Sequence, residues 1–401
     1  MKKVRLADCC QFYSGGTPTK GKTEYWNGEL PWFSPKDIKS FELLSSQDRI
    51  SDVAVLESAT RLLQPGAILV VGRSGVLAHT LPVGIVRQPS AFNQDVKAIV
   101  PSDGYDSEYI ALYLAAKQGL ILQEGVKRGP TVHSLISNFI EELEIPDIQI
   151  KEQRQIATRL KTQLAEVETA RQAATIQLQE AAALKSKALE ALFAGIKNWE
   201  QIGTAAKLQS GYAFKSNSFK ATGVRLLRNA NILPGRVYWD DAICLSEEDS
   251  KKHPSHVLKD GDVLISLDRP IISSGIKVAR VASDDLPALL VQRVGRFLID
   301  REKLDADYLY ACLQTDIFVS EITGHDQSLG VPHISPSQVE SVEIPLPDVG
   351  VQRELSKRMN EVTSLWQTAA AAMQVQLNDL SRLPKAILAQ TFSQQGDNHG
   401  R

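Results

Sequence analysis

Apolar and polar positions follow two alternating patterns along this chain. Over residues 1–150 the apolar residues come in short runs, such as Ala67 to Val71, separated by turn-formers including Gly15-Gly16, Pro31, Pro35 and Pro65-Gly66. Runs of that length between Gly and Pro predict buried strands, and Tyr109 to Ala116 reads as a helix among them. Residues 151–198 change texture: Ala, Gln, Glu, Lys and Leu dominate, Gly and Pro almost vanish, and one long helix is expected. Residues 199–349 return to the first pattern, with Val263 to Leu267 as a strand and Tyr308 to Leu313 as a helix. Residues 350–396 return to the second. The fold class is α+β.

The alternation is a duplication. Glu144-Ile145-Pro146 reappears as Glu343-Ile344-Pro345, and Gln153-Arg154 as Gln352-Arg353, both 199 positions later. The same shift takes Asp106-x-x-Tyr109 to Asp305-x-x-Tyr308, Leu184 to Leu383, Leu189 to Leu388 and Phe193 to Phe392. Earlier landmarks shift slightly less: Ser14-Gly15 to Ser210-Gly211 by 196 and Gly66 to Gly261 by 195. Small loop insertions in a shared fold produce such drift, whereas chance does not keep landmarks in order over so long a stretch. Two similar strand-rich heads are expected, each followed by a long helix.

Both helical stretches carry a narrow apolar seam. Leu160, Leu164, Val167, Ala174, Leu178, Ala181, Ala188 and Leu192 form the first; Leu355, Met359, Val362, Trp366, Ala369, Met373 and Leu380 form the second. A stripe that narrow needs a partner. Arg171 and Lys185 interrupt the first seam, and Pro384 is expected to kink or end the second helix, which argues against an unbroken homodimeric zipper. The expected partner of each helix is the other one. They would pack antiparallel as a coiled coil about a pseudo-two-fold axis, a rod of roughly 60 Å. The alternative is that each helix folds back on its own head.

Composition narrows the function classes. A chain of 401 residues exceeds one ordinary core, and 43% hydrophobic residues exceed what a disordered chain carries. No apolar run approaches the ~20 residues of a membrane helix, and Met1 to Cys10 is not followed by a signal-peptide core, so a cytoplasmic protein without a membrane partner is expected. The net charge of −2 argues against a protein that simply coats DNA, and leaves room for a local basic face. Cys9, Cys10, Cys244 and Cys312 lack zinc spacing and read as reduced buried thiols.

The sequence holds no GxxxxGK[ST], GxGxxG or HExxH motif, and no Pro-Pro dipeptide. A nucleotide-driven motor, an Asn/Asp-Pro-Pro-Tyr amino-methylation site, a catalytic residue and a metal site are therefore not expected in this chain. His253 and His256 read as surface-loop histidines. Asp147 with Lys151 is the one hint of a nuclease cluster. Its counterpart Asp348 meets Val351 and Gln352 instead of lysine, so a helix-capping carboxylate is the simpler explanation.

Two similar heads with a rigid spacer suit a ligand that repeats along an axis, and double-stranded DNA is the natural case. Basic and amide residues cluster near predicted turns. In the first head these are Lys20, Lys36, Arg73, Asn93, Gln94, Lys127 and Arg128; in the second, Arg225, Arg228, Asn229, Asn231, Arg269, Gln292 and Arg293. Arg can grip guanine bidentately, Asn or Gln can grip adenine, and Lys neutralises phosphate. Trp32-Phe33-Ser34-Pro35-Lys36-Asp37-Ile38 aligns with Leu226-Leu227-Arg228-Asn229-Ala230-Asn231-Ile232: the apolar ends agree and the polar middles differ. An asymmetric, two-part target would follow. The rivals are a coiled-coil scaffold whose heads bind protein, and a self-contained nuclease.

With these residues in view, the chain resembles, over essentially its whole length, the specificity subunits of type I restriction-modification systems. The resemblance is carried by Ile145-Pro146 followed by Glu152-Gln153-Arg154-Gln155-Ile156, by Leu189-x-x-Leu192-Phe193-x-Gly195, and by Gly15-Gly16-Thr17-Pro18 and Leu30-Pro31-Trp32. The second copy departs from it: Val351-Gln352-Arg353-Glu354-Leu355 lacks the first Glu, and Leu388 to Phe392 has Thr391 for Leu. The resemblance implies target-recognition domains at 1–150 and 199–349, conserved helices at 151–198 and 350–396, and a helix rod that rules the spacing of two half-sites. It implies two methyltransferase subunits docked on the helices, through Leu160, Leu164, Val167 and Leu178 and through Leu355, Met359, Val362 and Trp366, and motor-nuclease subunits beyond them. S-adenosylmethionine, ATP and Mg would belong to those partners and not to this chain, which would direct their adenine methylation and restriction.

Overall fold

The computed structural model describes residues 2–323 and 333–397. Two compact units emerge, one of residues 1–175 with 375–401, the other of residues 176–374. Dividing the sequence by texture separates heads from helices; compactness cuts each helix instead. The helices Ile150–Ala191 and Val349–Asp397 each begin in one unit and end in the other.

In the first unit the strand Lys3–Arg5 pairs antiparallel with Glu144–Pro146, which ties the start of the head to the start of its helix. A five-stranded sheet follows in the order Cys10–Ser14, Val96–Pro101, Ile68–Val71, Val83–Val86 and Glu42–Leu43. Ile68, Leu69, Val70 and Val71 are all buried, as a continuous apolar run between Gly66 and Gly72 requires. The helix Ser107–Ala116 covers this sheet, with Asp106 accepting from the Tyr109 N–H at its first turn. A smaller sheet joins Asp48–Ile50, Leu30–Phe33 and Ala91–Phe92; another joins Val126–Lys127, His133–Leu135 and Arg73–Ser74.

The second unit repeats the plan. Trp199–Gln201 pairs with Glu343–Pro345. The main sheet runs Ala206–Ser210, Val294–Ile299, Val263–Ser266 and Val278–Arg280, and the side sheet runs Cys244–Leu245, Val224–Leu227 and Ala288–Leu290. The helix Ala306–Cys312 matches Ser107–Ala116, again with an Asp, Asp305, capping it.

One repeated motif now has a cause. Gln153 is fully buried: its carbonyl accepts from the Asp106 N–H at 2.9 Å, and its amide donates to the carbonyls of Gly104 and Ile148. Gln352 does the same with Asp305, Lys303 and Pro347. Only an amide supplies both the acceptor and the two donors, so the long helix is keyed to the cap of the short one.

The two long helices meet each other, as expected, and their packing adds detail. Each helix packs its first turns on its own head and its last turns in the other unit. Ile156, Ala157 and Leu160 share the first core with Leu388 and Phe392; Leu355 and Met359 share the second with Leu189 and Phe193. In the second unit Lys185 lies 4.7 Å from the ring centre of Trp366, so the two helix segments run antiparallel there. Leu160, Leu164, Leu355, Met359 and Val362 are thus packed into this chain's own cores and offer a docking partner little; Val167, Leu178 and Trp366 are half-buried. Of the two outcomes expected at Pro384, a kink or an end, the helix does not end there: Leu388 and Phe392 beyond it are buried and hold the next turns.

Among the described residues no helix is long and apolar enough to cross a membrane. All four cysteines are free and buried. Burial pushes the Cys312 thiol up to about 12.

Candidate nucleic-acid interface

Asp147 is engaged with side chains and does not cap the helix. It accepts from Lys2 at 2.7 Å and from the Tyr105 hydroxyl at 3.1 Å, contacts that hold its pKa below the usual carboxylate range and anchor the first strand. Among the described residues no three His, Cys, Asp or Glu side chains gather as a metal site.

The first unit brings four of its seven candidates together. Lys20, Lys36, Asn93 and Gln94 line a cleft of about 710 Å³ with Thr17, Trp26, Trp32, Ser34, Asp48 and Asp95. Thr17 donates to Gln94 at 2.6 Å, and Lys36 is paired with Asp48 at 2.8 Å. Trp26 and Trp32 meet edge to face at 5.2 Å, and the Trp32 indole N–H donates to the Gly16 carbonyl. Asn93 is nearly buried and its oxygen accepts from the Asp95 N–H, so part of its amide shapes the turn.

Arg73 and Lys127 belong to a second group. Both stand directly opposite Ser134 in the small sheet, so the three side chains share one face. That sheet is joined to the cleft by the Asp95 carbonyl, which accepts from the Gly72 and Arg73 N–H groups at 2.7 and 2.9 Å. Arg128, next to Lys127, is exposed.

In the second unit the candidates divide. Arg225 is committed to structure: it donates to the Asp284 and Leu286 carbonyls and stacks 4.7 Å from the centre of Trp239. Asn231 is 1% exposed, accepting from the Arg228 N–H and donating to Tyr238. Asn229 accepts from Ser266 and from the nearly buried Lys277. Arg228 is held by Asp241. For these four, neighbouring groups of the same unit already engage part or all of the polar side chain. Arg269, Gln292 and Arg293 remain exposed.

Equivalent loops share three backbone hydrogen bonds. Gly16 and Tyr212 donate to Phe92 and Leu290, Asn93 and Val291 to Phe33 and Leu227, and Gly72 and Leu267 to Asp95 and Arg293. A Cβ on Gly15 would strike the Phe92 carbonyl, and one on Gly211 the Val291 carbonyl, which explains why Ser-Gly recurs here.

Sequence reasoning missed the tryptophan pair as part of the cleft, and a cluster around Tyr212. The His253 ring centre lies 4.3 Å from that of Tyr212, tilted, and 4.9 Å from that of Phe214, edge to face, with His256 at 5.7 Å from Tyr212. The alternation Tyr212-x-Phe214 just after Ser210-Gly211 was the available signal.

Comparisons with known proteins bear on these duplicated loops. The profile of the type I restriction modification DNA specificity domain matches twice, over residues 1–177 and 196–372. The MjaVIII specificity subunit of Methanocaldococcus jannaschii is 26% identical over 385 residues, covering 90% of this chain and 86% of that one. The EcoR124I/EcoR124II specificity subunit of Escherichia coli is 38% identical over 152 residues, 38% of each chain. A chain from a structural study of type I R-M complex assembly and conformational transition superposes with a TM-score of 0.76, at 17% identity and covering 98% of this chain and 97% of that one. The HsdS subunit of Thermoanaerobacter tengcongensis gives 0.58 at 18% identity, over 99% and 97%. With the profile matching both halves and the two halves sharing their loop hydrogen bonds, this chain belongs to the type I restriction-modification DNA specificity family.

Proposed function

We propose that this chain is the non-catalytic recognition subunit of a type I restriction-modification complex and reads a two-part, asymmetric duplex target. One observation carries the asymmetry: the two units fasten equivalent loops with the same backbone bonds but place different side chains on them. The first has Arg73, Asp95 and Ser134 where the second has Asp268, Arg293 and His333. A common scaffold with unlike readout residues recognises unlike half-sites.

Adenine methylation would come from two methyltransferase subunits holding S-adenosylmethionine, and cleavage from motor-nuclease subunits holding ATP and Mg. The helix faces left for those partners are not the buried seams. Half-site spacing depends on helix length, since each helix runs from one unit into the other.

The test is selection from a randomised duplex pool by the full chain bound to its methyltransferase subunits. A two-part motif with unlike halves at fixed spacing is expected. A single half-site, two identical halves or no enrichment overturns the reading. Inserting four residues, about one helical turn, between residues 160 and 180 should change the spacing of the selected motif.

A further inference from the structure

Among the described residues only two that are not glycine have positive φ: Arg269 at 47° and Arg293 at 67°. An arginine gains nothing intrinsic from the left-handed region, where its Cβ is crowded, so such residues tend to mark sites where the fold holds a side chain for a purpose. Both lie at one tip of the second unit. The Leu267 N–H donates to the Arg293 carbonyl at 2.8 Å. Asp268, between Leu267 and Arg269, accepts from the Arg293 guanidinium at 2.9 Å, and His333 Nδ1 lies 3.0 Å from its other oxygen.

The corresponding residues of the first unit are Ser74 and Asp95, and neither has positive φ. The shared scaffold therefore does not impose this geometry. It belongs to the second unit's own loop.

Charge distinguishes what the tip can meet. Asp268 compensates Arg293, and Arg269 is exposed with no hydrogen bond or ion pair to the described residues. A fixed carboxylate repels a phosphate, so this tip suits a base edge better than the backbone. The exposed guanidinium fork of Arg269, with no partner among the described residues, matches the O6 and N7 acceptors of guanine.

We propose that Arg269 reads a guanine in the half-site of the second unit, and that Asp268 is a positioning residue that holds Arg293 beside it. The proposal rests on this chain binding duplex DNA. It adds which residue specifies which base.

The experiment is the same duplex selection with the chain in its methyltransferase complex, comparing wild type with Arg269→Gly, Arg269→Lys and Asp268→Asn. Glycine accepts the positive φ, so the first variant removes the side chain without straining the loop. Arg269→Gly should erase the preference for one guanine in one half-site, lowering cognate affinity about 10- to 100-fold while random-duplex affinity changes less than about twofold. The other half-site should be unaffected, and Arg269→Lys should not restore the guanine, because an ammonium lacks the fork. Asp268→Asn should raise random-duplex affinity while weakening cognate binding, a divergence that simple loosening of the loop does not produce. Equal loss on cognate and random duplex, a lost preference for another base, or a wild-type motif without guanine overturns the proposal. Failure of wild type to select any motif would instead sink the DNA-reading function itself.

Discussion

The loop of Arg73 and the loop of Asp268 are built alike and charged oppositely. Gly72 reaches the Asp95 carbonyl at 2.7 Å in the first unit; Leu267 reaches the Arg293 carbonyl at 2.8 Å in the second. Around the first bond stand Arg73, in one row with Ser134 and Lys127, and Asp95; around the second, Asp268 is clamped between Arg293 and His333. Backbone hydrogen bonds do not depend on side-chain identity, so a fold can keep them while the polar surface diverges. The contrast extends to the cores. In the first unit Glu42, Arg87, Glu108 and Lys161 form a partly buried network that ties the long helix to the head. In the second, Arg280 and Asp307 make a single pair near the matching helix.

The largest effect should come from the helix ends that complete each core. Phe392 packs against Tyr109 and Tyr113 with ring centres at 5.5 and 5.2 Å, and Phe193 against Tyr308 at 6.4 Å. Phe392→Ala should destabilise the first unit by about 3 kcal/mol. Hydrogen exchange should quicken in the strand Val96–Pro101 and stay nearly unchanged in Val294–Ile299; Phe193→Ala should do the reverse. Faster exchange in the opposite unit would break the assignment of helix ends to cores.

A smaller effect separates the charge networks. Burial opposes ionisation of Glu108, yet Lys161 and Arg87 hold its pKa below the usual carboxylate value, and Arg87 does the same for Glu42. A lowered folded-state pKa means that the unfolded chain takes up protons first as pH falls. The stabilisation is therefore present above the ordinary glutamate value of 4.5 and is lost as pH falls through the lower folded-state value. Glu108→Gln should cost about 1 kcal/mol at pH 7, screening having reduced it, and less at pH 3. Urea unfolding followed by exchange in each unit at both pH values checks this, and an equal cost at both would remove the electrostatic explanation.

The smallest effect belongs to Lys127. As a phosphate contact, its loss should weaken cognate and random duplex alike, by well under tenfold, and reduce the salt slope of binding by roughly one unit. A loss confined to the cognate site would move Lys127 to the base-reading set and sharpen the difference between the units.

The duplication was legible because it is written in residues with jobs that tolerate no substitute. Gln153 and Gln352 each make the same three buried bonds, and Gly15 and Gly211 each pass a carbonyl with no room for a Cβ. Strand runs and helix textures were legible for the same reason: burial dictates them locally. The site was only partly legible. Arg225 and Arg293 look equivalent as letters, but one spends its guanidinium on backbone carbonyls and the other stands exposed beside Asp268. The seam residues Leu160 and Leu355 were recognisable as needing the other long helix, while their packing into the cores of the heads was not.

The sequence by itself determined two copies of an α+β head, each followed by a long amphipathic helix, because periodicity and turn chemistry act over a few residues at a time. Tertiary structure alone decided that each helix ends in the other unit's core, that Pro384 is spanned, and which arginines are committed to neighbouring groups. Those outcomes depend on contacts between residues up to hundreds of positions apart, and no local pattern encodes which of several chemically similar groups will find a partner.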